Sequence, residues 1–398
     1  MSSEQKDGSP QPSRHVVVAA LGTAQTLAWA SSYYLPAILA GPIGAGIGVA
    51  PTWVFGAFSG ALLIAAFAGP AVGRLIDRHG GRGVLVFSNI VLACGLVVLA
   101  AAHGVALLAL AWVILGIGMA LGLYDAGFAA LTALYGTGAR GPITGITLIA
   151  GFASTVSWPL STFLNDTLGW RETVLVWAAL NIVIGLPLNW LLPVPAHVAQ
   201  PAASRRAQHK VGWKPYREMF LLAFVFAAAW FVTGAMAAHL PELLERAGAT
   251  PLAAIAAAAL VGPAQVAARL VEFVLLRRGH PLVSARFAAV LHPLGAAVLM
   301  LFGPPAATAF AVLYGAGNGL LTIARGTVPL AVFGPDGYGE RTGLLGAPAR
   351  AAQAFAPLLF GLLLDAMGVS VIYVSAALCL AALAALFCLR ARPEQSGT

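Results

Sequence analysis

Residues 73–82 read "GRLIDRHGGR". Three arginines, one aspartate and three glycines stand here between two apolar runs, at 52–73 and 83–102. Each run has roughly the 20 residues a helix needs to cross the hydrocarbon core of a bilayer. The stretch therefore reads as a tight polar turn joining two membrane-crossing helices on one side of a membrane.

Outward from this turn the same alternation covers the chain. Apolar runs also lie at 16–40, 105–134, 142–164 and 172–192. A second set follows at 216–240, 252–276, 284–303, 306–333, 342–364 and 370–390. The fold expected is all-α and integral to the membrane, with twelve transmembrane helices in two pseudo-symmetric six-helix bundles. Composition agrees: 60% of the 398 residues are hydrophobic and only 9% are charged, whereas soluble domains carry about 25% charged residues. The first run has no small-residue cleavage pattern after it, so no cleavable signal peptide is expected.

A formal charge of +8 raises the question of nucleic acid, and its distribution answers it. With the N-terminus on one side, that side collects Lys6, Arg14, Arg74, Arg78, Arg82, Arg140, Arg205, Arg206, Lys210, Lys214, Arg217, Arg277, Arg278, Arg286, Arg341, Arg390 and Arg392. The opposite side receives only Arg171 and Arg246. Such asymmetry orients a multi-pass protein with both termini cytoplasmic, and it favours contact with anionic membrane lipids. No nucleic-acid partner is expected. Cys94, Cys379 and Cys388 fall inside apolar runs without paired spacing, so they read as small buried hydrophobes.

The longest polar interruption is "PVPAHVAQPAASRRAQHKVGWKP", residues 193–215. It divides the chain into a tail (1–15), a bundle (16–192), this linker, a second bundle (216–390) and a C-terminal tail (391–398). The bundles repeat one another. Gly116-x-Gly118 before Tyr135-Gly136 recurs as Gly315-x-Gly317 before Phe333-Gly334. Thr144-Gly145 with Pro159 recurs at the same internal spacing as Thr342-Gly343 with Pro357. Parallel repeats around a central site are a transporter architecture.

The opening stretch resembles the loop signature of the major facilitator superfamily, matched here by Gly73, Leu75, Asp77, Arg78, Gly80 and Arg82. The resemblance implies that the aspartate latches the two halves on the cytoplasmic side, partly through a helix N-terminus, where an anion is favoured. Two further stretches resemble the monocarboxylate porters. "YGTGARGPITGITLIAGFAST" (135–155) is similar to their fifth helix, and "GPAQVAARLVEF" (262–273) to their eighth. In that eighth helix an arginine on the cavity face holds the substrate carboxylate, and Arg269 is the matching position. Gln265 stands where many of those porters carry an acid, and "QTLAWASSYYLP" (25–36) lacks their first-helix lysine. Substrate identity and the proton site therefore do not carry over. Drug/proton antiporter patterns fit poorly: Trp112 stands where their fourth helix carries arginine, and of the glycine-proline pattern only Gly151 and Pro159 remain.

A charged side chain at mid-bilayer costs at least about 2.5–3.5 kcal/mol on insertion scales, so it faces protein or a wet cavity. The intramembrane set is Asp125, Arg269, Glu272, Arg325 and Arg350. Two acids against three arginines leave one positive charge unmatched, which an anionic substrate would supply. Gln265, Arg269 and Glu272 follow i, i+4, i+7 spacing on one helical face. Arg269 and Gln265 are thus candidate substrate ligands, with Gln25, Tyr33 and Tyr34 on the first helix. Alternatively, Arg269-Leu-Val-Glu272 echoes Arg74-Leu-Ile-Asp77, which would assign the pair to the latch. Asp125 and Arg325 occupy near-equivalent repeat positions; together with Glu272 and Arg350 they are candidates for proton coupling or a gate, or for a permanent packing pair.

These features point to a secondary transporter working by alternating access, with a small organic monocarboxylate moved with protons. The alternative is an efflux carrier of the same fold for a drug, a metabolite or another organic anion. No HExxH, GxSxG or phosphate-loop pattern supports an enzyme, and no cofactor or metal is expected. A monomer in a bacterial inner membrane is the expected setting.

Overall fold

The computed structural model describes residues 12–194, 214–276 and 279–389. Both tails beyond these bounds, most of the 193–215 linker and the basic residues Lys6, Arg205, Arg206, Lys210, Arg277, Arg278, Arg390 and Arg392 lie outside the described residues. Among the described residues every regular element is a helix.

The first crossing is broken: α1 (Arg14–Ser31) ends and α2 (Leu35–Ile47) restarts with Pro36 in its first turn, where a missing N–H leaves nothing unsatisfied. α3 (Pro51–His79) and α4 (Gly81–Ala100) meet at Gly80, whose φ of 79° suits only glycine. α5 (Val105–Gly122) and α6 (Tyr124–Tyr135) are separated by a break at Leu123. α7 (Arg140–Ile149), α8 (Ala153–Leu168), α9 (Trp170–Leu180) and α10 (Leu186–Trp190) complete the first half. The second half holds α11 (Lys214–Arg246), α12 (Pro251–Ala259), α13 (Val261–Val271) running into a π turn at Glu272–Leu276, α14 (Pro281–Phe302), α15 (Ala307–Phe333), α16 (Tyr338–Met367) and α17 (Val371–Phe387).

Nine stretches among the described residues are long and apolar enough to cross a membrane. Val105–Leu168 and Tyr338–Phe387, at 64 and 50 residues, are too long for one crossing and turn at Gly136 and Gly368. The twelve-crossing reading counts each of these twice and adds the broken α1–α2. Large apolar side chains face outward, among them Phe67 (83% exposed) and Leu252 (79%). That is the surface of a protein solvated by lipid tails, not by water.

Cross-contacts define two sides. Arg14 donates to Gly138 O at 3.2 Å, Arg140 to Gly279 O, and Asp77 accepts from Gly339 N, which gathers the Gly80, Gly136, Gly279 and Gly337 turns on one side, hereafter the basic side. α16 runs along α3 of the other half and along α11 of its own. Small residues permit the first of these approaches: a Cβ on Gly73 would run into the Gly339 carbonyl, and one on Gly343 would stand 2.6 Å from Gly69 backbone.

Candidate functional site

The basic side is closed by a latch between the halves. Asp77 accepts from Gly339 N and Glu340 N, both at 2.8 Å, so its carboxylate satisfies two orphan donors of the first turn of α16. Arg74 adds an ion pair to Glu340 at 3.3 Å. Of the other loop residues, Gly73 sits in the close crossing and Gly80 turns the chain. Arg78 is exposed in the last turn of α3, and Arg82 stacks on Trp190 of its own half at 4.6 Å.

Deeper in, Asp125 at the start of α6 meets two arginines of the other half. Its Oδ2 accepts from Arg325 Nη2 at 2.6 Å and from Arg350 Nη2 at 2.5 Å. Arg350 also donates to Ala65 O at 3.2 Å, and the Arg325 guanidinium lies over the Trp230 ring at 4.8 Å. All three charged residues are buried. One carboxylate against two guanidinium groups leaves this cluster with one excess positive charge.

Glu272 is placed differently from the charge count made on the sequence. Its partner is none of Arg269, Arg325 or Arg350 but Arg140 of the other half, at 3.3 Å from Oε1. Arg140 opens α7, and packing of α7 against the π turn brings this guanidinium down to an acid that is only 1% exposed. The internal set therefore holds two acids and four arginines. Among the described residues Glu272 Oε2 is buried with no hydrogen-bond partner.

Arg269 lies at the junction of α13, α15 and α7. Its Nη1 donates to Thr147 O at 3.2 Å and its Nε to Gly319 O at 3.4 Å. Nη2 reaches Gln265 Oε1 and Thr322 Oγ1, both at 3.4 Å. All four acceptors are neutral, and all four bonds are long for a charged donor. Among the described residues no carboxylate lies within ion-pair distance of this guanidinium, which is 5% exposed.

An aromatic cluster adjoins it. Trp29 packs on Tyr33 (5.0 Å between ring centres), Tyr34 (6.0 Å) and Tyr124 (4.8 Å), and Tyr34 reaches Trp158 at 6.2 Å. Tyr34 and Tyr124 are both within electrostatic reach of Arg269. Gln353 donates to Tyr33 OH at 2.5 Å, tying the halves. Gln25 is not part of this group. It is 1% exposed and donates to Gly122 O at 2.6 Å, filling an orphan acceptor at the C-terminus of α5. The structure thus gathers Arg269, Gln265, Tyr33 and Tyr34, omits Gln25, and adds Trp29, Tyr124, Thr147 and Thr322. A backbone carbonyl such as that of Thr147 leaves no signal in the sequence; Tyr124 and Trp29 carried one only as aromatics inside apolar runs.

Ties between the halves thus run along the basic side and the middle, while the opposite-side Arg171 and Arg246 bind within their own halves, to Ala102 O and to Asp365. A sequence comparison matches residues 20–312 to the family profile of the Major Facilitator Superfamily. The chain belongs to the major facilitator superfamily. Among solved structures it is similar to that of the human organic anion transporter MFSD10 (TETRAN), with a TM-score of 0.73 over 94% of this chain and 100% of that one. Sequence identity there is 16%, so the likeness concerns the fold. No curated protein matches the chain. Membership in the facilitator superfamily makes this a multi-pass membrane transporter.

Proposed function

We propose that this facilitator-superfamily member carries a small monocarboxylate-like organic anion by alternating access, coupled to protons, in a bacterial inner membrane, as a monomer with its basic side cytoplasmic. The observation that carries the reading is Arg269: a buried guanidinium, between the halves, with only neutral acceptors. An unpaired buried charge is costly, and a planar fork meets a carboxylate with two parallel bonds. A bound anion supplies the missing charge, and the aromatic wall of Trp29, Tyr34 and Tyr124 receives its apolar body. Uptake of labelled carboxylates into proteoliposomes tests this, with Arg269→Ala and Arg269→Lys beside the wild type. Carboxylate uptake lost in both variants supports the site; uptake equal to wild type in Arg269→Ala removes it.

The breadth of the aromatic cluster favours one second reading, export of a bulkier organic anion through the same site. Reversing the imposed gradient in the same vesicles distinguishes the two by direction.

A further inference from the structure

Arg269 accounts for one charge on a ligand, and the two halves present different chemistry beside it. The first half presents rings, those of Trp29, Tyr34 and Tyr124. The second half presents neutral polar groups. Tyr314, Asn318 and Thr322 follow i, i+4, i+8 spacing on one face of α15. Thr322 Oγ1 lies 3.4 Å from Arg269 Nη2, and Asn318 stands one turn farther along α15, about 6 Å of rise away. Tyr314, a turn beyond, is within electrostatic reach of Tyr33 in the other half. α16 contributes Gln353, which donates to Tyr33 OH. Thr233, Gln265, Asn318 and Thr322 are all half-buried, so the row is not sealed inside the packed core.

The amides of this row keep hydrogen-bonding capacity that the protein does not use. Thr233 Oγ1 lies 2.9 Å from both Ala229 O and Asn318 Oδ1, and its single proton serves only one of them. Whichever way the Asn318 amide is turned, one of its ends has no partner among the described residues. Gln265 Oε1 accepts from Arg269, which leaves its NH2 group; Gln353 gives an N–H to Tyr33, which leaves its carbonyl. A carboxylate only accepts and an ammonium only donates, whereas a hydroxyl does both. Hydroxyl groups therefore match all three amides. A plain alkyl or aryl acid would leave these ends unpaired once the site closes over it.

We propose that the transported anion is a polyhydroxylated monocarboxylate of the sugar-acid type, its hydroxyl groups held by Asn318, Gln265 and Gln353. The proposal rests on the anion reading of Arg269 and names the substrate class of that site. The carboxylate takes the guanidinium fork. A saturated ring bearing hydroxyls has an edge of O–H groups and a face of C–H bonds. The edge turns to the polar row, and the C–H face lies on Trp29 and Tyr34, whose ring faces are electron-rich. A second carboxylate has no cation to meet, since Arg325 and Arg350 share Asp125 and Arg140 holds Glu272. The cargo is thus a monoanion. A site that pairs a substrate hydroxyl rejects the analogue lacking it far more strongly than an apolar pocket rejects a missing methylene.

Quinate and cyclohexanecarboxylate share a six-membered ring and one carboxylate and differ only in hydroxyl groups, so they test this as a pair. D-glucuronate serves as a second hydroxylated probe. Tryptophan-fluorescence titration of the purified protein, with counterflow in proteoliposomes, should show wild type binding at least one hydroxylated acid about hundredfold or more tighter than cyclohexanecarboxylate. Asn318→Leu should weaken that acid by about tenfold or more and bind cyclohexanecarboxylate as tightly as wild type or tighter. Gln265→Leu should move the two affinities in the same directions. The wild-type comparison keeps the test open if a variant does not fold. Cyclohexanecarboxylate bound as tightly as both hydroxylated acids overturns the sugar-acid class and leaves the anion reading of Arg269 standing. Equal weakening of all probes in well-folded Asn318→Leu and Gln265→Leu overturns the assignment of the polar row. Absence of binding by any of the three acids strikes at the anion reading itself, and this proposal falls with it.

Discussion

Gly151, in the short turn between α7 and α8, makes room for the guanidinium of Arg269 from the other half. A Cβ built on Gly151 would overlap Arg269 Nη1, the atom that donates to Thr147 O. A glycine of the fifth crossing and an arginine of the eighth are thus one fitted unit, and the lack of a side chain at 151 is what lets Arg269 span the halves.

Gly151→Ala should therefore act on binding more than on folding. The obstructing atom is the far end of a flexible side chain, so the helix tolerates the methyl group while the guanidinium turns aside. Losing one charged hydrogen bond is worth about 1.5–3 kcal/mol, or about tenfold or more in affinity. Carboxylate affinity by fluorescence titration should fall by that amount, with the thermal midpoint nearly unchanged. Unchanged affinity would mean that Arg269 does not need its present position.

Asp77→Asn should loosen the latch in a way visible at two amides. Gly339 N and Glu340 N both donate to the Asp77 carboxylate. An asparagine has one acceptor oxygen and no charge, so one amide is released and the other weakened. Hydrogen exchange of the peptide covering 338–342 should speed up by about tenfold or more, while peptides on the opposite side stay as they were. Uniform acceleration over the whole chain would point to general destabilisation.

The latch was legible in the sequence because its signal is local: a glycine for close approach, an acid for a helix N-terminus and a glycine for the turn lie within ten residues. Arg269 was legible because a charge in an apolar run is conspicuous wherever its partner is. The pairing of Glu272 was not, since Arg140 reaches it only through packing of α7 on a π turn that no residue pattern announces. The bond that Gln25 makes was hidden for a similar reason. The run 105–134 looks continuous, yet the helix breaks at Leu123 and frees the Gly122 carbonyl that captures the amide.

Gly73→Val should shift the transporter toward a state open on the basic side. Here the obstructing atom is the Gly339 carbonyl, backbone that cannot swing away, so α3 and α16 must part. A cysteine replacing Thr342, a buried residue of this crossing, should react slowly with a water-soluble maleimide in the parent protein and several-fold faster with Gly73→Val present. Equal rates would show that the crossing absorbs the side chain without opening.

The Asp125 cluster makes a prediction that a simple pair would not. Asp125→Asn leaves Arg325 and Arg350 buried together without a counter-charge, at a cost of about 3–5 kcal/mol for breaking such a contact. The thermal midpoint should drop clearly. Exchanging the charges, Asp125→Arg with Arg325→Asp, would restore an isolated ion pair. Here it places the new arginine beside Arg350, which now reaches the position-125 carboxylate at 2.5 Å. The double variant should therefore remain as unstable and as poorly active as Asp125→Asn. Adding Arg350→Gln should recover stability and transport, because it removes the like charge that the exchange created. Recovery by the double variant alone would reduce the cluster to a pair and leave Arg350 with only its bond to Ala65.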